Sequence, residues 1–161
     1  MTQKYNVAVA GATGAVGTEI VQILEQRNFP IDKLFLLASS KSKGKKVEFR
    51  DQEIVVEDLS EFDFSKAHIG LFSPGGKISA EFAPKAAKAG CIVIDNTSHF
   101  RMQQNIPLIV PEVNANALDD FFDDENRTNI ISNPNCSTIQ MVVALKPLHD
   151  KAIINRVVVS T

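Results

Sequence analysis

Only two cysteines, Cys91 and Cys136, occur in 161 residues. No disulfide framework can hold such a chain, and a reducing, cytoplasmic setting is the simple reading. Neither sign of charge dominates. The formal net charge is −2, which gives no electrostatic case for nucleic acid or for an anionic membrane as partner. Long apolar runs are missing too: none approaches the roughly 18 residues that a membrane-spanning helix needs. Met1 to Tyr5 leads straight into an apolar strand, without the pattern of a secretory leader. There is no repeat, no low-complexity tract and no linker. In a reducing compartment the Asn-x-Ser/Thr triplets at Asn96, Asn126 and Asn135 are chance matches.

The remaining composition is that of one ordinary globular domain, with 44% hydrophobic and 22% charged residues. Strand-like and helix-like segments alternate along it. Residues 6–10, 33–38, 69–72 and 91–95 are short apolar runs, as buried strands are. Val47–Phe49 and Glu53–Val56 flank Asp51-Gln52 as a small hairpin. Helical spacing follows the first strand at Val16, Ile20, Ile23 and Leu24 and stops at Pro30. Ile78 to Ala89 predicts a helix closed by Gly90. Residues 114–122 predict a short helix, and residues 129–132 lead to Cys136. Ser137 to Leu145 is apolar on most faces, which predicts a buried helix. Val157 to Thr161 reads as a last strand. Together these predict a Rossmann-like, doubly wound α/β fold, a mostly parallel sheet with helices on both faces. The acidic run Asp119 to Glu125 reads as a solvated helix end, since nothing fixes its carboxylates around one metal ion.

Two features carry chemistry. Gly11-Ala12-Thr13-Gly14-Ala15-Val16-Gly17 follows the first strand and opens the first helix. Glycines there let backbone amides approach a pyrophosphate, and a helix N-terminus favours anions. A purely structural glycine turn is the alternative. An NAD site usually places Asp or Glu at the end of the second strand, for the ribose 2′-hydroxyl. This chain has Ser39-Ser40-Lys41 followed by Ser42, Lys43, Gly44, Lys45 and Lys46. Hydroxyls and ammonium groups suit a 2′-phosphate, so NADP is expected over NAD. A solvated basic loop would read the same way.

The second feature is Cys136, just ahead of an apolar helix. Helix amides stabilise a thiolate at such a junction, and a thiolate attacks carbonyl or acyl-phosphate carbon. The amides around Asn135 and Cys136 are placed for an oxyanion. Position alone leaves nucleophile and structural thiol equally open. Cys91 lies inside an apolar run and reads as core.

Asn133-Pro134-Asn135-Cys136-Ser137-Thr138, the Gly11 loop, Asp95-Asn96-Thr97-Ser98-His99-Phe100-Arg101-Met102 and Val110-Pro111-Glu112-Val113-Asn114 occur in this order. Together they resemble aspartate-β-semialdehyde dehydrogenase, from about residue 5 to Thr161. The related N-acetyl-glutamyl-phosphate reductases typically read Asn-Pro-Gly-Cys-Tyr at the cysteine, so Asn135 and Ser137 speak against them.

The resemblance implies NADPH-dependent conversion of L-aspartyl 4-phosphate to L-aspartate 4-semialdehyde, with release of phosphate. The step feeds lysine, methionine and threonine synthesis. It implies Cys136 as the residue that forms a thioester, with Asn135 beside it. It assigns Arg101 to the substrate phosphate, which a planar guanidinium suits. Gly11, Thr13, Gly14, Ala15, Val16 and Gly17 match the pyrophosphate loop, and Ser39, Ser40 and Lys41 the 2′-phosphate region. Ser73, Gly75, Gly76 and Asn96 fall where the cofactor runs toward its nicotinamide. The family forms homodimers.

The family's chains are about twice as long. The expected extent here is one NADP-binding domain over residues 1–161. The substrate and dimerisation part, with its glutamine, carboxylate-binding arginine and acid/base histidine, is not included. His68, His99 and His149 match none of these positions. Loss of a positioned acid/base lowers rates by about 10²–10⁴-fold, so this chain alone is expected to be nearly inactive. A stand-alone NADP-binding regulatory module is the other class of reading.

Overall fold

The computed structural model describes residues 3–160. Tyr5–Ala10 (β1) is followed by Ala15–Gln26 (α1) and Ile31–Ala38 (β2). Lys46–Phe49 (β3) and Gln52–Asp58 (β4) form a hairpin. Ile69–Phe72 (β5), Gly76–Lys88 (α2) and Ile92–Asp95 (β6) come next. Pro111–Asn114 (α3), Ala117–Asp123 (α4), Ile130–Ser132 (β7) and Cys136–Ala152 (α5) complete the order.

The seven strands form one sheet in the order β3-β4-β2-β1-β5-β6-β7. All neighbours pair in parallel except β3, which is antiparallel to β4. The fold is therefore the doubly wound α/β sheet that the sequence predicts. Its hairpin turns at Arg50 and Asp51, with φ of 51° and 60°. Two successive left-handed residues match the twist of the flanking strands.

Alternation along β1 builds a core on each face. Ala8 and Ala10 pack on one side with Phe72, Val93 and the Ala83, Ala86 and Ala87 stripe of α2. Val7 and Val9 pack on the other with Val21 and Leu24 of α1. Small alanines let α2 sit close to the sheet, and Cys91, fully buried, belongs to that core. Burial pushes its thiol up to about 12. The helix expected from Ile78 starts earlier, at Gly76, and Gly90 follows it at φ 91°.

Three expectations change. The helix over 114–122 is two short helices, α3 and α4, divided around Ala115 and Asn116. Asp119 and Asp120 are exposed there while Phe121 turns inward. The α5 helix is not buried: none of its residues reaches full burial. A helix apolar all round needs neighbours on every side, and among the described residues it meets chiefly α3 and the segment 154–160. The valines at 157–159 form no strand and are 48%, 78% and 55% exposed. Branched side chains favour strands only where a partner backbone is paired with them, and among the described residues none is. Thr161 lies outside the described residues.

Candidate nucleotide and cysteine site

The chain runs from β1 to β2 on one side, then crosses to β5 on the other. This reversal opens a crevice at the carboxyl ends of the strands, where open α/β sheets bind ligands. Gly11 follows β1, Ser39 follows β2, Ser73 follows β5, Asn96 follows β6, and the cysteine loop follows β7. These candidate residues therefore lie together at the carboxyl ends of the strands.

Gly11 stands at the switch point with φ 84°. A β-carbon there would lie 2.7 Å from the Ser73 carbonyl oxygen, so two backbones meet where a side chain would intrude. Gly17 is tighter still: a β-carbon would fall 2.1 Å from the Gly11 carbonyl oxygen. Only glycine lets α1 begin this close to the loop. Gly14 caps α1 without a side-chain bond, which leaves the first-turn N–H groups, among them Ala15 and Val16, for a ligand oxygen. Thr13 Oγ1 meets Ser42 Oγ at 3.4 Å and ties this loop to the turn after β2.

A cavity of about 480 Å³ joins Gly11, Thr13 and Gly14 to Ser39, Ser40 and Ser73, with Leu59, Ile78 and Phe82 as apolar wall. The loop amides, hydroxyls and apolar wall fit the phosphates and flat ring of a dinucleotide. Lys41 lies off this lining, exposed on the short turn Ser40–Ser42. Gly75, Gly76 and Asn96 also lie off it. Gly75, at φ 93°, caps α2. Asp58 and Ser60 enter the lining unannounced by the sequence. Asp58 ends β4 directly opposite Ala38 of β2. The hydroxyl and then the N–H of Ser60 hold its carboxyl below the usual range. An aspartate with serine two residues on was a readable turn signal, but the pairing with β2 was not.

The cysteine loop is held from both sides. The Asn135 side chain accepts the Thr138 N–H at 2.8 Å, capping α5. Cys136 is the first residue of that helix and is exposed. Asn133 N–H bonds the Asp95 carbonyl at 2.8 Å. Arg101 is half-buried and donates Nε–H to the Asn133 carbonyl at 2.8 Å and Nη2–H to the Asn96 carbonyl at 3.0 Å. Its Nη1 donors have no partner among the described residues. Asp95, which opens the family motif but has no role assigned from the sequence, is fully buried. Its carboxylate accepts the Ser79 hydroxyl and, at 2.7 Å, the Thr97 hydroxyl, so the loop that carries Asn96 and Arg101 is fastened to α2.

Two of the three histidines sit apart from this arrangement, and His99 lies within the Asn96–Arg101 loop, its backbone N–H on the Thr97 hydroxyl. His68 lies at the amino ends of the strands, where its Nδ1 accepts the Asn6 N–H. His149 accepts the Ile154 N–H near the far end of α5, about 20 Å from Cys136 at 1.5 Å per residue. His99 packs edge-on against Phe100.

Residues 6–121 match the family model described as semialdehyde dehydrogenase, NAD binding domain. The whole chain is 56% identical to aspartate-semialdehyde dehydrogenase 2 of Vibrio cholerae, of which it spans 47%. A crystal structure of aspartate semialdehyde dehydrogenase II from Vibrio cholerae, complexed with ASA, superposes with a TM-score of 0.90 at 55% identity, over 96% of this chain and 49% of that one. The Candida albicans enzyme with NADP gives 0.74 at 26% identity, over 94% and 48%. The chain thus spans about half the length of the relatives it matches. It belongs to the aspartate-semialdehyde dehydrogenase family and carries that family's NAD-binding domain.

Proposed function

We propose that this chain is the NADP-binding half of an aspartate-semialdehyde dehydrogenase, with residues 1–161 forming the cofactor domain through the cysteine helix. The observation that carries the proposal is the pair of hydrogen bonds that Arg101 donates to the Asn96 and Asn133 carbonyls. It joins the loop after β6 to the cysteine loop and sets a cation beside the helix end that bears Cys136. A guanidinium with free Nη1 donors near a capped helix N-terminus suits the phosphate of an acyl phosphate.

In this reading the Cys136 sulfur attacks the acyl carbon of aspartyl phosphate. A C–S bond forms, the C–O bond to phosphate breaks, and inorganic phosphate leaves against Arg101. The amides at Asn135 and Cys136 take the developing oxyanion. NADPH held by these residues would supply a hydride to the thioester carbon, and the Cys136 sulfur would then leave as thiolate as the aldehyde is released. The Gly11 loop would hold the pyrophosphate, Ser39 and Ser40 on the cavity wall and Lys41 on the exposed turn beside it would hold the 2′-phosphate, and Ser73, Gly75, Gly76 and Asn96 would lie toward the nicotinamide. The product class is that of lysine, methionine and threonine synthesis, in the cytoplasm.

His149 is far from Cys136, His68 lies at the amino ends of the strands, and the His99 ring packs against Phe100. Alone, these 161 residues therefore turn over slowly, and the complete enzyme acts as a homodimer. Incubation with aspartyl phosphate, followed by intact-mass analysis, tests the chemistry. An aspartyl adduct is expected on the wild type and none on C136S, while an adduct at any other residue overturns the assignment. Full turnover in a steady-state assay would remove the claim of low activity. Titration with NADPH and NADH tests the cofactor, and equal affinities would remove the role given to Ser39, Ser40 and Lys41.

A further inference from the structure

The end of β2 lacks the carboxylate that an NAD site usually has, yet the cavity contains one. Asp58, the last residue of β4, reaches it from the next strand and is 7% exposed. Its Oδ1 accepts both the N–H of Ser60 at 2.9 Å and the Ser60 hydroxyl at 2.7 Å. Its Oδ2 has no hydrogen-bond partner among the described residues and is not sealed from solvent. One oxygen is thus anchored and the other is open. The nearby wall is apolar, from Leu59, Ile78 and Phe82, and among the described residues no lysine, arginine or histidine lines the cavity, the nearby Lys43 ammonium being paired with Glu61 outside it. An apolar wall with one fixed acceptor takes a flat ring that carries an N–H donor. It rejects a ring that presents a carbonyl oxygen at the same place, because two acceptors then face each other.

Position separates this oxygen from the ribose. The strand order is β4-β2-β1, so Asp58 stands two strand spacings from the Gly11 loop, about 10 Å. The end of β2, with Ser39 and Ser40, lies between them. A dinucleotide with its pyrophosphate at Gly11 and its ribose at Ser39 brings its base to the end of β4.

We propose that Asp58 reads the nucleobase, its Oδ2 accepting a hydrogen bond from the exocyclic amine of adenine and so selecting adenine over 6-oxopurines. The inference rests on the dinucleotide reading above. The bonds from Ser60 that fix Oδ1 also keep the carboxyl ionised, as a stronger acceptor.

The test is a titration of the 161-residue chain and its D58N variant with NADPH, with its hypoxanthine counterpart and with NADH. The wild type is expected to prefer NADPH over the hypoxanthine dinucleotide by about tenfold or more. In D58N the amide oxygen can keep the Ser60 bonds while the amide nitrogen donates. The variant should bind NADPH more weakly and the hypoxanthine form more tightly, a gain that misfolding cannot produce. Equal binding of the two bases by the wild type overturns the inference. So does an equal loss for both bases in D58N, which would leave Asp58 only a turn-holding role. A change in the NADPH to NADH ratio with the base ratio intact would move Asp58 to the ribose. Failure of the wild type to bind NADPH at all would overturn the dinucleotide reading itself.

Discussion

Arg101 donates its Nε–H to the main-chain carbonyl of Asn133 at 2.8 Å, across 32 residues of sequence. With its second bond to Asn96, this ties together the turns that follow β6 and β7. The side chain proposed to meet the substrate phosphate therefore also shapes the loop that presents Cys136.

Removing that link should loosen the loop. R101L is expected to lower stability by about 1–3 kcal/mol, the range for charge-assisted bonds lost from partly buried groups. R101K should recover part of it, because one ammonium cannot reproduce a two-pronged fork. Urea unfolding midpoints measure both, and an unchanged R101L midpoint would show that the two bonds contribute nothing.

Asn135 acts at shorter range. N135A removes the cap on α5 and should destabilise that helix by about 1 kcal/mol. The Thr138 amide, which the cap accepts at 2.8 Å, should exchange its hydrogen faster while amides in β1 keep their protection. Uniform acceleration throughout the chain would argue against a local cap.

The Gly11 loop makes a sharper demand. G17A places a methyl 2.1 Å from the Gly11 carbonyl oxygen, so α1 must move. Dinucleotide binding should fall about 100-fold or more, as misplacement by an ångström can cause. Gly44 is the control: φ is 85° but nothing lies within 4 Å of an added β-carbon. G44A should cost about 1–2 kcal/mol of stability through backbone strain alone and leave NADPH affinity intact. Equal effects on binding would remove the close-approach argument.

Asp58 gives a pH dependence with a definite sign. Its folded value lies below the ordinary 3.8 because Ser60 donates to the carboxylate. The stabilisation is therefore full above that ordinary value and is lost as pH falls through the lower folded one. S60A should be less stable than the wild type at pH 7, and the gap should close as acid protonates Asp58. Urea midpoints at pH 7, 5 and 3 follow it, and a gap that widened in acid would contradict the geometry.

The two thiols should differ in kind. Cys136 is exposed, whereas Cys91 is fully buried and pushed up to about 12. A disulfide reagent should titrate one thiol per native chain and two after unfolding. C136S should abolish the native reaction, and rapid labelling of Cys91 would mean that the β6 core opens readily.

Much of the sheet was legible because buried parallel strands are continuously apolar, as at Val7–Ala10 and Ile69–Phe72. The glycine spacing of the loop and the placement of Cys136 at a helix start could be read for the same local reason. What misled was burial. The apolar residues of α5 and the valines at 157–159 promise cover, but cover is a property of neighbours, and the described residues supply few.

The sequence by itself determined the strand–turn–helix units, the glycine loop, the cysteine junction and the family, since each depends on residues close together along the chain or on a run of motifs in order. Only the tertiary structure decided that Asp58 joins Ser39 and Ser40 in one cavity, that Lys41 stays off its wall, and that Arg101 braces the cysteine loop. Those relations arise where strands distant in sequence end side by side, and parallel pairing across a crossover sets which ends meet.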